Sequence, residues 1–269
     1  MRIALDIGVT EHAIWIWDTR RETLTRLNGD PGSKRQPVWT ADGRRIIFRS
    51  ERGGAPNLYW QRADGSDAAE ALFPTPIAQF PYSISPDGTR LFLAQGTGPN
   101  TGTDVGVLSL NGQRRTELLL QTPAREFFPE VSPDGRWLAY QSDESGEYQV
   151  YVRPLPDVNK GRWQISNSGG TRPAWARNAR ELYYFDAEKR LTAVSIEADG
   201  STIVAGRPKT LLEPKYLSDA DAYGRPYDVA SDGRFLMIKD EPSADRPAGA
   251  SLVVVDHWLD ELKRVLPVR

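Results

Sequence analysis

The stretch Phe127-Phe128-Pro129-Glu130-Val131-Ser132-Pro133-Asp134-Gly135-Arg136-Trp137-Leu138-Ala139-Tyr140 contains a turn and the strand that follows it. Gly135 tolerates a positive φ and the Asp134 side chain bonds to neighbouring backbone, so the pair forms a tight turn. Trp137 to Tyr140 is apolar at consecutive positions. A strand with one wet face alternates, so a continuous apolar run reads as a strand buried on both faces.

The arrangement recurs along the chain. Pro37-Val38-Trp39-Thr40-Ala41-Asp42-Gly43 precedes it, as does Pro81-Tyr82-Ser83-Ile84-Ser85-Pro86-Asp87-Gly88 with one extra residue. Two weaker copies follow, Pro173-Ala174-Trp175-Ala176-Arg177-Asn178-Ala179 and Pro226-Tyr227-Asp228-Val229-Ala230-Ser231-Asp232-Gly233. The prolines stand 44, 48, 44 and 53 residues apart, the length of one four-stranded propeller blade. Asp42, Asp87, Asp134, Asn178 and Asp232 are therefore turn residues. Ala179 departs from the pattern, because alanine resists φ > 0; a different turn class or local strain is expected there.

The rest of each unit fills in around these turns. Second strands begin at Arg45, Arg90, Trp137, Leu182 and Phe235, and third strands at Asn57, Val105, Gln149, Leu191 and Leu252. The third strands mix small and polar residues with apolar ones, which places them nearer the outer edge. Short polar fourth strands at 24–27, 70–73, 117–120, 162–165 and 209–212 suit guarded edges. The expected fold is all-β, a single β-propeller of about six four-stranded antiparallel blades at about 1–28, 29–73, 74–121, 122–165, 166–213 and 214–256, with a short C-terminal helix at 257–265. Arg2 to Leu5 and His12 to Trp17 match second and third strands with no inner strand before them. The last unit gives way after its third strand to apolar positions 258, 259, 262 and 265 at helical spacing. The first and last blades are thus expected to be incomplete, as they would be if further sequence lay upstream.

Composition narrows the function classes. A net charge of −2 gives no field to gather nucleic acid or an anionic membrane. The absence of cysteine excludes disulfides, thiolate metal sites and cysteine nucleophiles. No segment has signal-peptide or membrane-spanning character, so the sequence as written points to the cytoplasm, with no membrane insertion. The two histidines, His12 and His257, stand apart from other ligand-type clusters, so no metal, cofactor or catalytic residue is expected. The acidic loops at 143–147 and 219–221 lack the spacing of a calcium loop.

From about residue 30 onward the chain resembles the TolB-type, WD-like propeller repeats, whose signature is the Ser-Pro-Asp-Gly-Arg turn at Ser132 to Arg136. The run from Phe127 to Tyr140, with Trp258-Leu259-Asp260-Glu261-Leu262-Lys263, is similar to propellers that follow bacterial serine/threonine kinase domains. The resemblance implies an accessory module of a signalling protein. The kinase motifs and a Gly-x-Ser-x-Gly elbow are both missing from this chain.

Binding candidates come from the architecture. The loop into each innermost strand opens at the mouth of a propeller's channel, which places Gln36, Phe80, Phe128, Arg172 and Arg225, the residues before the motif prolines, around that mouth. Aromatic and arginine side chains there suit a peptide or anionic group, although Phe80 and Phe128 would serve equally to plug the channel. The expected function is non-catalytic binding of a protein or peptide partner. The alternatives are a propeller enzyme acting on a sugar or lactone with a metal in its channel, and a degenerate fragment without a role of its own.

Overall fold

Each repeat folds around its Asp-Gly turn. The amides of Gly43, Gly88, Gly135, Ala179 and Gly233 donate to the carbonyls of Thr40, Ser85, Ser132, Ala176 and Ala230 at 2.8–3.0 Å. The acid or amide before each of them accepts the amide two residues on, as Asp42 does from Arg44 and Asn178 from Arg180. The same bond forms at Asp87, Asp134 and Asp232. Thr40, Ser85 and Ser132 tighten three of the turns, each donating its hydroxyl to the acid and accepting the amide that opens the next strand. Ala179 sits at φ 57°, in the same turn as the glycines at φ 64–83°. The turn class does not change there, and the expected strain is what is found.

The computed structural model describes residues 1–8, 11–27, 32–96, 102–200, 202–214, 216, 224–230, 232–241 and 249–255, with side chains through Ile238. Among the described residues, six antiparallel sheets follow one another along the chain. The first holds β1 (Arg2–Ile7), β2 (Ala13–Asp18) and β3 (Thr23–Arg26). The second holds β4 (Lys34–Trp39), β5 (Arg45–Ser50), β6 (Asn57–Arg62) and β7 (Glu70–Ala71); the third holds β8 (Gln79–Ile84), β9 (Arg90–Gly96), β10 (Thr103–Ser109) and β11 (Thr116–Leu120). The fourth holds β12 (Glu126–Val131), β13 (Trp137–Ser142), β14 (Gln149–Pro154) and β15 (Trp163–Gln164). In the fifth, β16 (Thr171–Trp175), β17 (Glu181–Phe185) and β18 (Leu191–Asp199) run to β20 (Lys209–Leu212), and β19 (Thr202–Ala205) pairs with an extension of β18. The last sheet holds β21 (Tyr227–Val229), β22 (Phe235–Glu241) and β23 (Gly249–Val255). The expected helix at 257–265 lies outside the described residues.

Five apolar clusters form the seams between successive sheets. Ile46 and Phe48 of β5 face the first sheet while Ile47 faces the third; Leu138 and Tyr140 of β13 face the third sheet while Trp137 and Ala139 face the fifth. This double-sided burial explains the consecutive apolar runs, and it is the packing of propeller blades. The third strands take the expected place between the second strands and the outer ones, but they are deeply buried there. β10 and β14 are as buried as the second strands, because each blade's third strand is also covered by its neighbours. The polarity falls instead on fourth strands such as β3, exposed throughout.

Candidate functional site

The inner strands β4, β12 and β16 each carry a bulge. Pairing with the second strand breaks between Arg35 and Val38, between Phe127 and Glu130, and between Thr171 and Ala174. At each break one residue takes a left-handed conformation: Gln36, Phe128 and Arg172, all at φ 55°. None is a glycine, and each precedes a proline, which restricts its backbone further. These three candidate residues thus lie within the inner strands, not in the loops leading to them.

Phe80 and Arg225 are out of step with these three. Phe80 pairs with Ala94 as Phe127 pairs with Gln141, one position before the bulge. The extra residue between proline and turn in units three and six causes the offset, and Pro81 and Pro226 stand where Phe128 stands in unit four. Phe80 is buried beneath the Arg49 guanidinium, 5.0 Å from its ring centre.

Two of the bulges are held by the preceding blade. The Gln36 amide donates to Asp6 Oδ2 at 3.2 Å, and the Arg172 amide to Gln141 Oε1 at 2.9 Å. Further side-chain bonds tie one inner strand to the next. Ser83 Oγ donates to the Pro129 carbonyl and accepts from the Val131 amide. Trp175 Nε1 donates to the Glu130 carbonyl, and the Tyr227 hydroxyl to that of Arg172 at 2.7 Å.

An aromatic and charged surface is built on these strands. The buried Phe128 ring lies 4.8 Å from that of Tyr82 and 5.5 Å from the Arg172 guanidinium, with the half-buried Phe127 ring alongside. Arg172 Nε donates to the Gly224 carbonyl. Arg225 binds Glu130 at 3.0 Å, the Pro173 carbonyl at 3.1 Å and Asp228 at 3.4 Å. Burial works against the Arg225 charge, but Glu130 and Asp228 outweigh it and hold the guanidinium above its ordinary value. The side chain is 21% exposed and its donors are directed at protein acceptors, so Arg225 joins blades four, five and six. Tyr82, Glu130, Tyr227 and Asp228 escaped the sequence reading, which took the residue before each proline; counting back from each Asp-Gly puts Tyr82 in line with Tyr227 and Glu130 with Asp228.

His12 Nδ1 lies 2.6 Å from Asp6 Oδ1, and His257 lies outside the described residues. Among the described residues no group of three or more His, Asp or Glu side chains is arranged to hold a metal ion. In the acidic loop at 143–147, Asp143 accepts the Arg125 amide and Glu144 binds Arg162; the loop at 219–221 lies outside the described residues. No described helix is long and apolar enough to cross a membrane.

No family model matches the chain. Over 45 residues, 17% of its length, it is 44% identical to the Tol-Pal system protein TolB of Bordetella pertussis, and the match spans 10% of that relative. The corresponding protein of Helicobacter pylori is 23% identical over 157 residues, 54% of this chain and 37% of the relative. Among solved structures, TolB from Acinetobacter baumannii superposes with a TM-score of 0.70 at 16% identity, over 96% of this chain and 62% of that one. A manganese complex of oligogalacturonate lyase gives 0.60 at 11% identity, over 96% and 87%. The repeated turns, the seams between sheets and these likenesses together show a β-propeller of TolB-like fold.

Proposed function

We propose that the chain is a non-catalytic binding module that takes a protein or peptide partner on the inner-strand surface around Gln36, Tyr82, Phe127 and Arg172. The observation that carries this reading is the threefold left-handed bulge. A non-glycine residue held there costs about 1–2 kcal/mol, and strain kept at the same place in three blades implies a use for the surface it shapes. Half-buried aromatics beside a guanidinium give contact area at low entropic cost. TolB-like relatives support a protein partner in general. The fold shared with a lyase supports the competing reading, an enzyme acting on a sugar. The attachment of this module to a kinase, and hence a place in signalling, belongs to the proposal through the sequence resemblance alone.

The test is selection of binding peptides from a random library against the whole chain. The selected peptides are expected to lose at least tenfold in affinity on Arg172→Ala or Tyr82→Ala, and nothing on Arg44→Ala at an Asp-Gly turn. Equal affinity for all variants would overturn the assignment, and turnover of oligogalacturonate on addition of manganese would favour the enzyme.

A further inference from the structure

The bulge cuts β12 into a short arm and a remainder. Ahead of the break the arm joins β13 through two residue pairs, Glu126 with Ser142 and Phe127 with Gln141, and pairing resumes only at Glu130 with Ala139. The arm carries Phe127 and the left-handed Phe128 of the inner-strand surface. It also reaches the next bulge, because the Gln141 side chain accepts the Arg172 amide. The residue that opens the arm is an acid, where blades two and three place Lys34 and Gln79. Glu126 is 2% exposed; Thr122 donates its hydroxyl to Oε1, and Oε2 is buried without a hydrogen-bond partner among the described residues. The charged groups that act on it most strongly are acids as well, Asp104 from β10 and Glu144 and Asp143 from the loop after β13. Glu144 is paired with Arg162, and Asp143 takes the Arg125 amide. An ionised carboxyl in this seam has one hydroxyl to answer it, and a buried charge so poorly paired is strongly unfavourable.

We infer that Glu126 is a proton-operated latch: protonated, it seats the arm Glu126–Phe128 in the seam between blades three and four, and on ionisation it leaves the seam and releases the arm with both phenylalanines. The bulge makes the release local. Moving the carboxyl out to water breaks two residue pairs, while the strand from Glu130 onward keeps its own pairing. Phe128 then gives up its contacts with the Tyr82 ring and the Arg172 guanidinium. Burial, opposed by Thr122 and reinforced by the three acids, pushes the carboxyl up to about 7. The seated arm is therefore complete below the range of a free glutamate and lost as pH rises through the folded value. The release stands whether or not the surface binds a partner. Its effect on binding rests on the proposed function: a preformed aromatic surface binds more tightly than one that must first be ordered, so partner binding weakens as pH rises.

The experiment follows amide hydrogen exchange of the whole chain between pH 5 and pH 8.5, each rate divided by that of an unstructured peptide at the same pH. Protection of the segment 125–128 is expected to fall at least tenfold further across this range than that of the β13 amides. Glu126→Gln should abolish this difference. Thr122→Val removes the hydroxyl that favours the ionised acid, so it should move the midpoint of release to higher pH, a shift that a merely structural role for Glu126 does not produce. Constant protection of the segment, the same profile in Glu126→Gln, or an equal loss in β13 would each overturn the inference, the last because it reports opening of the whole molecule. Peptides selected against the chain at pH 5 should bind it at least fivefold more weakly at pH 8.5, and should bind Glu126→Gln equally at both. Selected peptides that bind the parent chain equally at both would overturn the link between arm and surface. A library that yields no peptide would overturn the binding reading alone, since the exchange is read without one.

Discussion

Ala179 isolates the energetics of one backbone angle. It occupies the left-handed position that glycine fills in the four sister turns. An alanine pays about 1–2 kcal/mol there, against about 0.5–1 kcal/mol of extra unfolded-state entropy that glycine would bring. Ala179→Gly is therefore expected to stabilise the chain by about 0.5–1 kcal/mol, seen as a higher urea midpoint at unchanged slope. The reciprocal Gly135→Ala should cost about 0.5–1 kcal/mol, because a Cβ there would meet only Pro86 at an ordinary 3.6 Å, leaving the same balance of angle against entropy. This strain was legible in the sequence, since Asn178-Ala179 sits in register with four glycine turns. The left-handed Gln36, Phe128 and Arg172 were not legible, because pre-proline residues ordinarily take extended conformations and the bulge exists only once a second strand is paired.

At the scale of the element, the repeated turn links folding to acid. The Thr40 hydroxyl and the Arg44 amide hold the Asp42 carboxyl below its ordinary range. The Ser85 hydroxyl and the Thr89 amide bring Asp87 down to about 2, and the Arg234 amide lowers Asp232. A group with a depressed folded-state pKa contributes stability that is present above its unfolded value and lost as pH falls through the folded one. The turns should therefore hold to about pH 4 and weaken between about 4 and 2. Asp87→Asn, which keeps the acceptor for the Thr89 amide as Asn178 does for that of Arg180, should flatten this acid limb in urea midpoints taken at pH 5, 3 and 2. An unchanged pH profile would mean that the turn charges contribute nothing. Strand positions were legible wherever a turn punctuated them, so second and fourth strands fall where expected. The depth of the third strands and the β18–β19 hairpin were not, because seam burial depends on neighbouring blades and the hairpin has no counterpart elsewhere in the repeat.

At the scale of the molecule, stability resides in seams between blades, as in other repeat architectures where each unit is completed by its neighbours. The sequence period was enough to show that such seams exist, but polar residues that converge at a seam from distant positions carry no periodic signal. Glu126 is the case in point. It opens β12 with only 2% of its surface exposed, takes a hydrogen bond from Thr122, and faces Asp104 of the preceding blade, with Asp143 and Glu144 nearby. Burial, opposed by Thr122 and reinforced by those three acids, pushes its carboxyl up to about 7. A group whose folded pKa is raised supplies stability that is complete below its unfolded value and lost as pH rises through the folded one. The seam between blades three and four should accordingly weaken from about pH 4.5 to 7 and carry its full penalty above that range. Glu126→Gln imitates the protonated acid at nearly the same volume. It should match the parent chain at pH 4 and exceed it by about 1–3 kcal/mol at pH 8, a difference read from urea unfolding at the two pH values. Equal stabilities at pH 8 would show that the carboxyl ionises without cost, and that water or a neighbouring cation reaches this seam.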